Sequence, residues 1–335
     1  MDSFHSLLKR RRQRECSGVL ATLRSAEGHA YRKPGAAMLI GPNGQLDGHL
    51  SPGCIEADLA RLADRVLESG RSAFMVYDVR EADDLSWGEA VGCGGRLEVL
   101  LEPMDATLVA ALDAVERALD EGHAVKLARR MNGEGLVSEY RVQYGDCWHE
   151  RFSRPLDGMQ RVDQVISFYY EANPRLLVFG AGDDAMPVVE LASRAGFSVI
   201  VADRREALCS RLRFPSASLL VSDGVNEMGA ALAIGPRDRA VVMTHQMAQD
   251  RDLLVLLAKS PVRFIGLLGS SKRVRRLTEG LLSPRDSRLH APVGIVPFAE
   301  GPERIAISIV AELLEDIRQE GASISLRAAV EAEKG

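Results

Sequence analysis

One stretch, residues 175–203, restricts what this chain can become. Leu176–Phe179 is an apolar run of strand length, followed by Gly180-Ala-Gly-Asp-Asp-Ala185, an amphipathic segment from Val188 to Gly196, and a second apolar run that ends on Asp203. Strand, glycine turn, helix, strand and terminal acid in that order spell a βαβ unit of the Rossmann type. Gly180 permits the tight turn, and Gly182 lets the backbone approach a diphosphate at the helix start. Asp203, about twenty residues further on, is placed to accept from a ribose hydroxyl. Ala185 stands at the third glycine of the fingerprint. Asp183 and Asp184 lie where a diphosphate would approach, and their charge opposes it.

Alternation continues beyond Asp203. Leu219–Val221, Ala240–Thr244 and Phe264–Leu268 are apolar runs, and Ala248–Lys259 and Lys272–Leu282 carry helical periodicity. The pattern predicts a doubly wound parallel sheet with its ligands at the carboxyl ends of the strands. Thr244-His245 follows one such strand, with Asp252 one to two turns along the next helix, so His245 is a candidate acid/base as well as a candidate structural histidine. Gly269-Ser-Ser-Lys-Arg273 puts Lys272 and Arg273 in a helix's first turn, where the dipole disfavours cations. Gly269, Ser270, Lys272 and Arg273 therefore form either an anion site or a solvated basic face. A last helix, Pro302 to Gln319, carries a broad apolar stripe whose partner the sequence leaves open.

The N-terminal half reads differently. Val19–Leu23, Ala36–Ile40 and Arg96–Leu101 are short strands among turns, Asp105–Glu121 is an amphipathic helix, and His123–Arg129 and Leu136–Gln143 pair around Asn132-Gly133. This is a separate α+β domain. The expected boundaries are 1–155 for that domain, 156–174 for a linker marked by Asp157-Gly158 and Asn173-Pro174, and 175–325 for the Rossmann domain. Tyr31, Arg32 and Lys33 sit in a Gly- and Pro-bounded loop, either solvated or facing an anion. Ser51 is placed as an N-cap and Pro52 as the first helical residue, which puts Cys54 in a first turn that favours a thiolate, with Glu56 opposing it. Cys93 lies between glycines that leave its sulfur accessible.

Bulk properties exclude several classes. The 335 residues suffice for two well-buried cores, and 46% hydrophobic with 27% charged residues is ordinary globular composition. A net charge of −5 argues against nucleic acid as the partner. Lys9–Arg14 is a basic run read as the solvated end of a first helix, and no apolar segment of signal or membrane length follows it. Five widely spaced cysteines without C-x-x-C fit a reducing compartment, so the cytoplasm is expected and a membrane is not.

Taken together, Tyr31-Arg-Lys-Pro-Gly-Ala36, Ser51-Pro-Gly-Cys-Ile-Glu56, Gly92-Cys-Gly-Gly95, Gly180-Ala-Gly-Asp-Asp-Ala185, Asp203-Arg-Arg205, Thr244-His245, Gly266-Leu-Leu-Gly-Ser270, Ala291-Pro-Val-Gly294 and Pro302-Glu-Arg-Ile-Ala306 resemble the XdhC/CoxI family of xanthine dehydrogenase accessory proteins. Pro52 stands where that family carries a glycine. The resemblance implies an N-terminal CoxI-like domain joined to a C-terminal Rossmann domain. It also implies an accessory chaperone that binds molybdenum cofactor (molybdopterin), works with a cysteine desulfurase, and delivers the sulfurated cofactor to a molybdenum hydroxylase client. Tyr31, Arg32, Lys33, Cys54, Glu56, Cys93, Gly180, Gly182, Asp203, His245, Gly269, Ser270, Lys272 and Arg273 are the candidate cofactor-binding residues. Cys54 and Cys93 are the candidate contacts to molybdenum, because soft sulfur ligands suit that metal. A homo-oligomer, in the first instance a dimer, is the expected assembly. Two alternatives stay open: an NAD(P)-dependent oxidoreductase using Asp203 and His245, and a persulfide relay on Cys54 or Cys93.

Overall fold

Strand β1 (Val19–Glu27) is buried on both faces, sending Val19, Ala21 and Leu23 into one core and Leu20 into another. The structure, a computed structural model, describes residues 3–14, 18–28, 30–78, 95–132, 136–154, 162–221, 224–281, 283, 286–297 and 299–332. They fall into two compact units, Asp2–Asn173 and Pro174–Gly335.

In the N-terminal unit β1 is the centre of an antiparallel sheet. With β2 (Ala37–Ile40), β3 (Leu46–Asp47), β4 (Ala73–Asp78) and β5 (Arg96–Pro103) it runs in the order β3-β2-β1-β5-β4. Helix α2 (Glu56–Ser69) covers one face with Leu59, Ala63 and Val66, of which each large side chain contributes roughly 1.5–3 kcal/mol by leaving water. Gly70 ends this helix in a left-handed turn, φ 63°, with its N–H on the Val66 carbonyl. The other face meets α1 (Phe4–Arg14) and α3 (Ala106–Asp120), the latter capped by the Asp105 carboxylate, which accepts from Leu108 N–H at 2.9 Å. A second antiparallel sheet, order β8-β7-β6-β9, shares that core through β6 (Val125–Asn132), β7 (Val137–Tyr144), β8 (Cys147–Ser153) and β9 (Val162–Tyr170). Between the sheets Arg129 Nε donates to Glu102 at 2.8 Å, with both side chains fully buried, and Tyr140 Oη donates to the same carboxylate at 3.0 Å.

Three sequence expectations change here. Val162–Tyr170, expected within the linker, is a strand that pairs along its length with β6, because Ile166 and Tyr170 complete the core below it. The basic run of α1 is not simply solvated. Arg11 is buried against Asp113 and Glu116 and Lys9 meets Asp120 at 3.1 Å, because α3 presents acids along the face on which α1 docks, while Arg10 meets Asp47 of β3 at 2.8 Å. Helix α2 starts at Glu56 and not at Pro52, so Cys54 precedes the helix.

The C-terminal unit is a six-stranded parallel sheet in the order β12-β11-β10-β13-β14-β15. Its strands are β10 (Arg175–Phe179), β11 (Ser198–Asp203), β12 (Ser218–Val221), β13 (Arg239–Val242), β14 (Phe264–Leu267) and β15 (Leu289–His290). One face packs on α4 (Ala185–Arg194) and α8 (Pro302–Ala332), which bury Val188, Ala192, Ile309 and Leu313. The other packs on α5 (Val225–Leu232), α6 (Met247–Lys259) and α7 (Ser271–Thr278) through Met228, Leu254, Leu257 and Leu277. The stripe of the last helix thus finds its partner within its own unit. An α+β unit and a doubly wound parallel unit are the architecture the sequence pattern predicts.

Candidate functional site

Strand order reverses between β10 and β13, and a crevice opens at that point in a doubly wound sheet. Gly180, φ 119°, carries the chain out of β10, with its N–H on the Ala202 carbonyl at 2.9 Å. Asp203 at the end of β11 is 1% exposed. Its Oδ2 accepts from Ala181 N–H at 2.7 Å and from Arg205 Nη2 at 2.8 Å, while Oδ1 accepts from Arg205 N–H and Nε. Burial raises its carboxyl, but these donors together hold it below the usual carboxylate range. The acid that sequence assigns to a ribose therefore ties the glycine turn to the end of β11.

Across the crevice the chain leaves β13 through Thr244-His245. Asp250 is buried; its Oδ1 accepts from Thr244 Oγ1 at 2.5 Å and its Oδ2 from Arg273 Nη2 at 2.5 Å. Gln246 N–H donates to Thr244 Oγ1, and this tight turn leaves His245 in the left-handed region, φ 63°. His245 Nε2 lies 2.6 Å from Asp184 Oδ2, and that hydrogen bond raises the imidazole pKa above its ordinary value. Asp183 is held by Arg213 at 2.8 Å.

The sequence pattern has Arg273 presenting its charge at the start of α7. It instead folds over Gly269 towards Asp250, while Ser270 caps the helix by accepting from Arg273 N–H at 3.3 Å. Lys272 stays exposed. The sequence points to Asp252, whereas Asp250 is the acid bonded to the turn. An acid in the first turn of α6 was the signal available for it. The pairing of Asp184 with His245, 61 positions apart, had no sequence signal.

These groups do not fit a dinucleotide as they stand. Ala181 N–H is taken, Asp203 is buried and bonded, and Asp184 Oδ1 occupies the space above Gly182, 2.7 Å from where a Cβ would stand.

In the N-terminal unit Glu56 is buried and organises the turn before α2. Its Oε1 accepts from Leu50 N–H at 3.1 Å and Ser51 N–H at 2.7 Å, and its Oε2 from Ser51 Oγ at 2.5 Å. Ser51 Oγ in turn accepts from Gly53 and Cys54 N–H, each at 3.1 Å. Cys54, half-buried, packs at the edge of the core beneath α2. Tyr31 is 64% exposed and Lys33 is exposed, in the loop that enters β2. Cys93 lies outside the described residues, as does Cys16. Among the described residues no cluster of three His, Cys, Asp or Glu side chains could hold a metal ion. Among them, too, no helix is long and apolar enough to cross a membrane.

The chain thus joins an antiparallel α+β unit to a Rossmann unit whose glycine turn is occupied by the chain's own acids. The XdhC Rossmann domain model matches residues 176–313, and the XdhC and CoxI family model matches residues 11–78. A Bacillus subtilis protein described as a probable xanthine dehydrogenase subunit is 35% identical over 94% of this chain and 98% of its own length. The molybdenum cofactor insertion chaperone PaoD of Escherichia coli is 25% identical over 88% of this chain and 82% of its own. A crystal structure described as a xanthine dehydrogenase from Bacillus halodurans superposes with a TM-score of 0.81 at 36% identity, covering 95% of this chain and 96% of that one. The chain belongs to the XdhC/CoxI family.

Proposed function

We propose that this protein is a maturation factor that takes up molybdenum cofactor as cargo. It holds the cofactor while a cysteine desulfurase supplies the terminal sulfido ligand, then delivers the sulfurated form to a molybdenum hydroxylase of the xanthine dehydrogenase type. The observation that carries this reading is that the similarity to the insertion chaperone extends over 88% of the chain, and so takes in both units. The donor set of the N-terminal unit supports it. Cys54 offers a half-buried thiol on a turn fixed by Ser51 and Glu56, and soft sulfur suits molybdenum. Tyr31, Arg32 and Lys33 supply aromatic surface and positive charge suited to a pterin phosphate. Cys93 is the second thiol of the proposed site on the ground of its flanking glycines. Action as a dimer in the cytoplasm belongs to the same proposal.

The test is to co-express the protein with cofactor biosynthesis and assay the purified chain for molybdenum and pterin. Cys54→Ser and Cys93→Ser are expected to lower both contents and client activation, with Cys16→Ser, Cys147→Ser and Cys209→Ser unchanged. Equal occupancy across all five variants overturns the cysteine assignment, and absence of molybdenum and pterin from the wild type overturns the cargo.

A further inference from the structure

Two neighbouring features at the carboxyl edge of the parallel sheet favour different parts of a ligand. At the glycine turn, the place of a diphosphate is filled by the chain's own carboxylate. Asp184 Oδ1 stands above Gly182, and His245 Nε2 holds the other oxygen at 2.6 Å. Asp183 adds a second carboxylate beside it, 91% exposed at its side chain and paired with Arg213. A diphosphate brought to this turn meets negative charge before it reaches the backbone of Gly182.

From the ends of β11, β12 and β13 a cleft of about 540 Å³ runs between α5 and α6, along α6 from Ala248 to Lys259. That size is typical of small-molecule sites. Its charged lining is balanced, Arg204 and Lys259 against Glu227 and Asp252, so it is not built to concentrate an anion. Its neutral polar lining consists of the amides of Asn226, Gln246 and Gln249, and Val255 and Leu256 add apolar surface. A carboxamide offers two donors and an acceptor, the complement of a ring edge that mixes both. Gln246 already accepts from Arg204 Nη2 at 2.5 Å, which orients its donors and braces the end of β11 against the start of α6.

We propose that this cavity binds a neutral, hydrogen-bonding nucleobase, and that Asp184 makes the unit reject ligands that lay a diphosphate over the glycine turn. The Rossmann unit is then a reader of ring edges rather than a dinucleotide site. This goes beyond the delivery reading and does not depend on it.

Titration calorimetry on the full chain tests the proposal with adenosine, guanosine, cytidine and biopterin, each set beside ADP and NAD⁺. At least one of the three nucleosides is expected to bind with a Kd below about 1 mM, and ADP and NAD⁺ at least about tenfold more weakly. Biopterin bound more tightly than every nucleoside overturns the nucleobase assignment. Asp184→Asn is expected to strengthen ADP binding at least about tenfold while leaving the neutral probe within about twofold. Gln249→Leu is expected to weaken the neutral probe at least about tenfold. Asp184→Ser serves as the second variant should the asparagine chain fail to fold. The proposal is overturned if the wild type binds ADP or NAD⁺ more tightly than every neutral probe, if no probe binds at about 10 mM, or if removing the Asp184 charge gives ADP no gain.

Discussion

The carbonyl oxygen of Met243 lies 2.6 Å from the point where a Cβ on Gly180 would stand. Two strand ends meet there with no room for a side chain, and Gly180 is left-handed as well, so clash and backbone strain act together. Gly180→Ala is therefore expected to destabilise the C-terminal unit by about 3 kcal/mol. Gly182 meets only the carboxylate end of Asp184, which can turn aside at the cost of its hydrogen bond to His245, and Gly182→Ala is expected to cost about 1 kcal/mol. Chemical denaturation of the two variants checks the contrast. Equal losses count against the close approach.

Glu56 accepts two backbone N–H groups and one hydroxyl in a buried turn. Glu56→Ala leaves those donors without partners, at an expected cost of about 3 kcal/mol. It also frees the turn that holds Cys54, so the Cys54 thiol is expected to react faster with a labelling reagent than in the wild type. Mass spectrometry resolves this site from the other cysteines. Unchanged labelling would show that the turn does not control Cys54.

Arg273 and Lys272 are adjacent in sequence but differ in what they hold. Asp250, 1% exposed, has Arg273 as its cationic partner, so Arg273→Ala leaves a buried carboxylate without it and is expected to cost about 3 kcal/mol. Lys272→Ala is expected to stay within about 0.5 kcal/mol of the wild type. Comparable thermal midpoints for the two variants would mean that the buried pair contributes little.

Two histidines give opposite pH dependences. Burial holds His5 below its ordinary value, although Asp120 opposes the shift; Nε2 lies 2.9 Å from Asp120 and Nδ1 accepts from Asn173 N–H. The unfolded chain protonates first, so stability from neutral His5 is present above pH 6.5 and falls as the pH drops through the folded value. His245 is raised by its hydrogen bond to Asp184, with Asp250 adding to the shift and Arg273 and partial burial opposing it. Its contribution is present below pH 6.5 and is lost as the pH rises through the folded value. Imidazole titration by NMR, with unfolding measured for His5→Asn and His245→Asn across pH 5–8, reads both signs.

The sequence by itself determined the βαβ unit, the doubly wound sheet and the α+β character of the first half. Those features rest on local periodicity: Leu176–Phe179 can only be a buried strand before glycines, and Leu59, Ala63 and Val66 share one face of any helix built on that segment. Family membership was equally legible, because it resides in short motifs read in order. The strand Val162–Tyr170 was not, since its stability comes from pairing with Val125–Asn132, a partner that local pattern does not name. Nor were the roles of Asp203, Asp184, His245 and Arg273. A carboxylate's function depends on which donor reaches it, and Ala181 N–H, His245 and the Asp250–Arg273 pair arrive only when β10, β13 and α7 come together. Tertiary structure alone decided that the glycine turn is closed by the chain's own acids. Hydrogen bonds act over about 3 Å, and that distance is set by the packing of strands far apart in sequence.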